Sequence, residues 1–152
     1  LVGSEMCIRD RITGMPQELK EKIGHLKYSS VQTAYFPDNL DTEAQWVYYP
    51  DPELSYHRIL VRHNFCNGSK GYWTECNSTR VDETTESTFQ YMNQYAYPLN
   101  TIGKPEIMKE LLEWAKTRRV YGLGRWGDHQ HYNSDLVVEL ALKMAEELNS
   151  AQ

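Results

Sequence analysis

Apolar and polar positions follow two spacings along this chain. Lys27–Phe36, Ala44–Tyr49, Tyr56–Phe65, Gly71–Thr79 and Gln90–Ala96 are short runs rich in β-branched and aromatic residues. Turn signals close several of them: Pro37-Asp38-Asn39, Pro50-Asp51-Pro52 and Asn67-Gly68. The pattern predicts four or five strands joined as an antiparallel meander. On either side the spacing turns helical. Pro16–Ile23 reads as a short helix, with proline in the first turn and Gly24 as its stop. Lys104–Lys116 reads as another, its stripe made of Ile107, Leu111 and Ala115 with Met108 and Leu112. Val120–Leu123 reads as a last strand. A final helix from about Ser134 to Leu148 carries Val137, Val138, Ala141, Leu142, Met144, Ala145 and Leu148, which wrap more than half its circumference.

A helix that apolar needs a larger sheet than one strand to cover it, so the chain is expected to be a fragment of a larger fold. The expected class is α+β. Residues 12–98 form an antiparallel meander, and residues 99–152 supply a C-terminal strand and helix. Leu1–Arg11 has neither periodicity nor a cap and resembles an adaptor-derived leader; it is expected to lie outside the fold.

Composition removes several function classes. The net charge is −5 with no long basic run, which leaves no nucleic-acid footprint. No apolar stretch approaches the roughly 20 residues of a membrane helix. Three cysteines, Cys7, Cys66 and Cys76, form no C-x-x-C pair and fit a reducing, cytoplasmic setting. His63, Cys66 and Cys76 match no standard zinc spacing, so no metal site is expected. Eleven tyrosines suit a sheet whose rings pack on one side and hydrogen-bond a ligand on the other.

Candidate chemistry concentrates in Tyr121–Asp135, YGLGRWGDHQHYNSD, which reads as strand end, glycine turn, polar loop and helix start. Backbone N–H groups converge at such a helix N-terminus, where Asn133, Ser134 and Asp135 are N-cap candidates. Gly122, Gly124 and Gly127 match G-x-G-x-x-G, but no helix opens directly at them and no second strand follows, so this is not a dinucleotide fingerprint. Arg125, among these glycines, offers a planar donor fork. His129 and His131 alternate and would share a face of an extended loop, as a solvated pair or as ligand contacts. A second cluster sets Tyr48-Tyr49-Pro50 ahead of Tyr56-His57-Arg58; it suits a phosphate or sugar pocket, or simply edge-strand tyrosines beside a solvated arginine. Tyr97-Pro98, ahead of the second helical segment, reads in the same two ways.

Three of these pieces together resemble the C-terminal part of the UDP-galactopyranose mutase family, within the flavin-binding amine-oxidase-like superfamily. Tyr48-Tyr49-Pro50 with Arg58 is similar to that family's substrate-pocket tyrosine and arginine. Tyr97-Pro98-Leu99-Asn100-Thr101 is similar to the tyrosine-proline segment ahead of its last strand. Gly124-Arg125-Trp126-Gly127, closed by Asn133-Ser134-Asp135 and the apolar helix, resembles its Gly-Arg-aromatic-Gly flavin motif. The resemblance spans roughly Leu26 to Leu148.

The resemblance implies that residues 12–98 are part of a substrate-binding domain and that residues 99–152 complete an FAD-binding α/β domain. It implies FAD as cofactor, with Gly124, Arg125, Trp126, Asn133, Ser134 and Asp135 on the flavin side. It implies a nucleotide-sugar or another small molecule as substrate, met by Tyr48, Arg58, Tyr97, His131 and Tyr132. It implies reduced flavin as the nucleophile of a pyranose–furanose isomerisation, and a nucleotide-binding N-terminal half as the missing partner. The segment between Arg125 and Asn133 is shorter than the family's and carries Asp128-His129-Gln130-His131, so an expected tyrosine falls to Tyr132 or His131. Two other readings stand beside the isomerase. One is a fragment of an FAD-dependent oxidoreductase, of amine oxidase or protoporphyrinogen oxidase type; the other is a binding module without catalysis.

Overall fold

The computed structural model describes residues 2–3, 12–82 and 86–150. Two compact units result, one joining the residues up to Tyr28 to those from Tyr97 onward, the other formed by Ser29–Ala96. The chain thus divides at two points, and the first helix groups with the C-terminal segment.

In the 29–96 unit the strands are β2 (Tyr28–Phe36), β3 (Trp46–Tyr48), β4 (Tyr56–Val61), β5 (Tyr72–Asn77) and β6 (Phe89–Pro98), with β2 and β6 running across the unit boundary. They form one five-stranded sheet in the order β3-β4-β5-β2-β6. The sequence reading expected a meander; β3, β4 and β5 obey it, but β2 lies between β5 and β6. Register explains the placement. Val31–Phe36 pairs with Asn77–Tyr72, which puts Val31 and Ala34, both buried, in the middle of the sheet. Ile59, Val61 and Cys76 are buried with them.

Tyr56–Phe65 is not one extended run. The strand stops at Val61, and Arg62–Phe65 makes a single helical turn, α2. Polar side chains take the chain out of the ladder: Asn64 Nδ2 donates to Thr42 O (2.7 Å) and Ala44 O (2.9 Å), while Ser69 Oγ donates to Arg62 O (2.9 Å). β5 likewise ends in a 3₁₀ turn at Ser78–Arg80, where Asn77 Oδ1 accepts from Thr79 N at 3.0 Å.

In the other unit, α1 (Gln17–Ile23) packs on α3 (Lys104–Thr117) through Met15, Leu19, Leu26, Met108 and Leu111. β7 (Tyr121–Gly122) leads into a helical turn, α4 (Gly124–Gly127), and then α5 (Ser134–Ser150). The expected glycine turn takes the form of the helical turn α4. β1 (Val2–Gly3) pairs in parallel with Tyr121–Gly122. The open edge of β7 offers hydrogen-bonding groups to such an extended segment. Leu1 and residues 4–11 lie outside the described residues.

No residue of α5 is buried. Val138 and Leu142 are 60% and 62% exposed. The unit's own sheet is two residues long, too small to cover that helix. Among the described residues, no helix is long and apolar enough to cross a membrane.

Candidate functional site

β7, α4 and the start of α5 form one continuous turn, and its backbone is dense. A Cβ on Gly122 would stand 2.6 Å from Gly127 O and 2.7 Å from Leu112 Cδ2. The space at Gly122 is therefore filled by the chain itself and not kept for a ligand. Gly124 has φ +80°, which suits glycine as the chain swings from strand to helical turn. Its carbonyl accepts from Asp128 N at 3.0 Å, and Arg125 O accepts from Gln130 N at 2.9 Å.

Arg125 emerges from this turn toward aromatic and carbonyl groups. Its guanidinium carbon lies 5.1 Å from the Tyr97 ring centroid, and Nη2 donates to Tyr132 O at 3.2 Å. His131 is exposed and stacks on Tyr97, with centroids 5.9 Å apart and planes 9° apart. Asn133 O accepts from Val137 N (3.1 Å), the first bond of α5, which places Asn133 at the N-cap position with Ser134 and Asp135 in the first turn. Tyr97, Arg125, His131, Tyr132 and Asn133–Asp135 thus gather in one unit. Burial, and then the charge of Asp128, push the Tyr132 phenol above its ordinary range, so the ring is neutral at physiological pH. Trp126 packs edge-on to His129, 5.8 Å between centroids, which ties it inward.

His129 and His131 do not share a face. His129 is fully buried at φ +53°, a left-handed conformation that breaks the expected extended alternation. Its Nε2 lies 3.1 Å from Lys27 O; a carbonyl only accepts, so the proton sits on Nε2. Lys27 O also accepts from Leu99 N at 2.8 Å, using both its lone pairs.

Lys104 was not legible as a site residue, yet only 4% of it is exposed. Nζ donates to Asn100 Oδ1, to His129 O (2.9 Å) and to Gln130 Oε1 (3.1 Å). Burial pushes its pKa below the ordinary lysine range. The missed signal was spacing: 104, 108, 111 and 115 make one helical stripe, and Met108, Leu111 and Ala115 are its other buried members.

The second candidate cluster belongs to the sheet. Arg58 pairs with Glu75 on the neighbouring strand, each side chain 14% exposed. Its guanidinium also lies 4.7 Å from the Trp46 ring and 5.8 Å from that of Tyr48. Arg58 is thus no solvated arginine: its charge is matched and its fork is stacked. Tyr48 is 66% exposed on the outer strand. Strand alternation puts Phe36, Tyr72 and Thr74 on the opposite face, where a cavity of about 390 Å³ is floored by the stacked Phe36–Tyr72 pair. Cys66 and Cys76 are free, and among the described residues no three metal-ligating side chains converge.

The donors of the first cluster suit an oxygen-rich anion. They comprise a guanidinium, the amides at a helix start and the Tyr132 phenol. Comparison with solved structures finds this fold elsewhere. The chain is similar to UDP-galactopyranose mutase in its reduced form, with TM-score 0.58 and 19% identity, over 70% of this chain and 30% of that one. It also matches a structure assigned as a protoporphyrinogen oxidase from Exiguobacterium sp. 255-15, with TM-score 0.45 and 10% identity, over 69% of this chain and 31% of that one. The chain therefore spans about 30% of the mutase it matches and shares its fold over that span. No protein-family profile matches the sequence, and no curated protein does.

Proposed function

We propose that this chain is the C-terminal part of an FAD-dependent enzyme of the mutase type. In this reading Gly124, Arg125, Trp126, Asn133, Ser134 and Asp135 serve the flavin, and a nucleotide-binding half lies elsewhere in the full-length protein. The observation that carries it is the gathering of Arg125, Tyr97, His131 and the Tyr132 carbonyl just ahead of the α5 N-terminus. Arg125 orients cofactor oxygens with its fork, Gly124 sets the turn that aims it, and the first amides of α5 donate beside it. Asp135 stabilises the helix start but opposes an anion there, so Arg125 must outweigh it. The uncovered apolar residues of α5 would pack on the missing half.

When bound, reduced flavin supplies a nucleophile for pyranose–furanose isomerisation of a nucleotide-sugar. Tyr97, His131 and Tyr132 would hold the sugar side, with Tyr132 a neutral donor. Tyr48 and Arg58 are the substrate candidates of the sheet unit. Arg58 is engaged by Glu75, so a diphosphate would compete with that carboxylate. The free thiols of Cys66, exposed, and Cys76, buried, fit a cytoplasmic enzyme.

Arg125→Lys in the full-length gene product tests the assignment, because lysine keeps the charge and loses the fork. Flavin affinity should fall by about 1–3 kcal/mol, the scale of a charge-assisted hydrogen bond, at unchanged melting temperature. Undiminished flavin retention would contradict the role of Arg125. Conversion of the nucleotide-sugar only with reduced flavin supports the isomerase; net oxidation of product would place the enzyme among the oxidoreductases.

A further inference from the structure

Lys104 carries a buried ammonium at the start of α3, the end of a helix whose field does not favour it. Its side chain sits on the inward stripe, and among the described residues it has no carboxylate partner. An ammonium has three N–H groups, and Lys104 directs them at three neutral oxygens: Asn100 Oδ1, His129 O and Gln130 Oε1. Burying a charge this way is unfavourable unless the oxygens are held in place to receive it. Two of the three belong to consecutive residues of the loop between α4 and α5.

That loop is pinned a second time. The His129 ring reaches Lys27 O, and its backbone stands at φ +53°. A left-handed histidine is disfavoured and persists only where surrounding contacts fix it. The Lys104 bond to His129 O is such a contact. The residues set by these two anchors are those of the cradle. Gln130 N bonds Arg125 O, Tyr132 N bonds Gln130 O at 3.0 Å, and Tyr132 O receives the Arg125 guanidinium.

We propose that Lys104 is the positioning residue of the cradle: its three-way bond holds residues 129–130 and thereby sets where Arg125, His131 and Tyr132 stand. It touches neither cofactor nor substrate. The inference rests on the flavin reading for its functional consequence, though not for its structural one.

Hydrogen exchange on the full-length gene product tests the structural part. Lys104→Met keeps the stem and removes the three donors; Lys104→Arg keeps the charge and replaces the tripod by a planar fork. In both, amides of 128–132 should exchange about tenfold faster or more, with the β4–β5 amides of the sheet unchanged, as for a local opening. Asn100→Ala, which leaves the two loop contacts, should speed the same segment less and serves if the first variants do not fold. No change at 128–132 in the folded Met variant, wild-type exchange in the Arg variant, or faster exchange throughout the 97–150 segment would each overturn the proposal. In the full-length gene product, faster loop exchange with weakened flavin retention supports both ideas. Faster loop exchange with undiminished flavin retention keeps the loop anchor and overturns the flavin assignment of the cradle.

Discussion

Glu75→Gln is expected to destabilise the sheet unit by about 2 kcal/mol, because removing one partner of a part-buried ion pair leaves the other charge short of its hydrogen-bonding partner. Glu75 and Arg58 face each other across β4 and β5, each side chain 14% exposed. The guanidinium is enclosed by Trp46 and Tyr48 as well, so it cannot swing out to water without giving up both rings. Denaturant unfolding of wild type and variant measures the loss. The control is the double change Arg58→Met with Glu75→Leu, which removes both charges and retains apolar volume. It should recover most of the loss, since a buried pair and a packed apolar pair differ little in net stability. If Glu75→Gln costs less than about 0.5 kcal/mol, the value of a surface change, the pair is a surface feature and Arg58 regains its standing as a diphosphate clamp.

Gly71→Ala should cost about as much by a different route. Gly71 stands at φ +80°, a conformation that costs an L-residue about 1–2 kcal/mol. A Cβ there would fall 2.2 Å from Phe36 O and 2.7 Å from the Tyr35 hydroxyl. The first of these is backbone in the adjacent strand and cannot move without breaking the β2–β5 register, so overpacking adds about 1–3 kcal/mol. The Gly71 carbonyl also accepts from Arg62 N (3.1 Å) and its N–H donates to Asn39 Oδ1 (2.8 Å), so any shift disturbs the start of α2 and the loop after β2. Gly68→Ala is the matched control. It has the same φ, and nothing lies within 4 Å of its Cβ, so only the conformational part should remain. Equal losses at the two positions in thermal unfolding would contradict the steric argument.

These positions also mark where sequence legibility ended. Strand runs and helical stripes found most elements to within a few residues, because each is a local period. The place of β2 between β5 and β6 was not legible, since strand order depends on pairing between distant segments. α2 and α4 were missed because a single helical turn carries no period, and side-chain bonds such as those of Asn64 decide it. In the site, Arg125, Tyr97, His131 and Tyr132 were legible as residue types suited to an anion and gather as neighbours. His129 was misread because alternation assumes an extended backbone, and one left-handed residue reverses it. Lys104 was passed over because lysine at a helix start reads as solvated; only its place on the Met108–Leu111–Ala115 stripe hinted otherwise. Arg58 and Glu75 lie 17 residues apart in sequence, and only strand pairing makes them partners.

The central claim is that this segment completes a flavin site whose other half lies elsewhere in the full-length protein. A flavin titration, followed by quenching of flavin fluorescence, tests it most directly when run on the 152-residue chain and on the full-length gene product side by side. The account predicts stoichiometric FAD binding by the full-length protein, weakened by Arg125→Lys, and no binding by the chain alone. Tight FAD binding by the 152-residue chain, or none by the full-length protein, would contradict it.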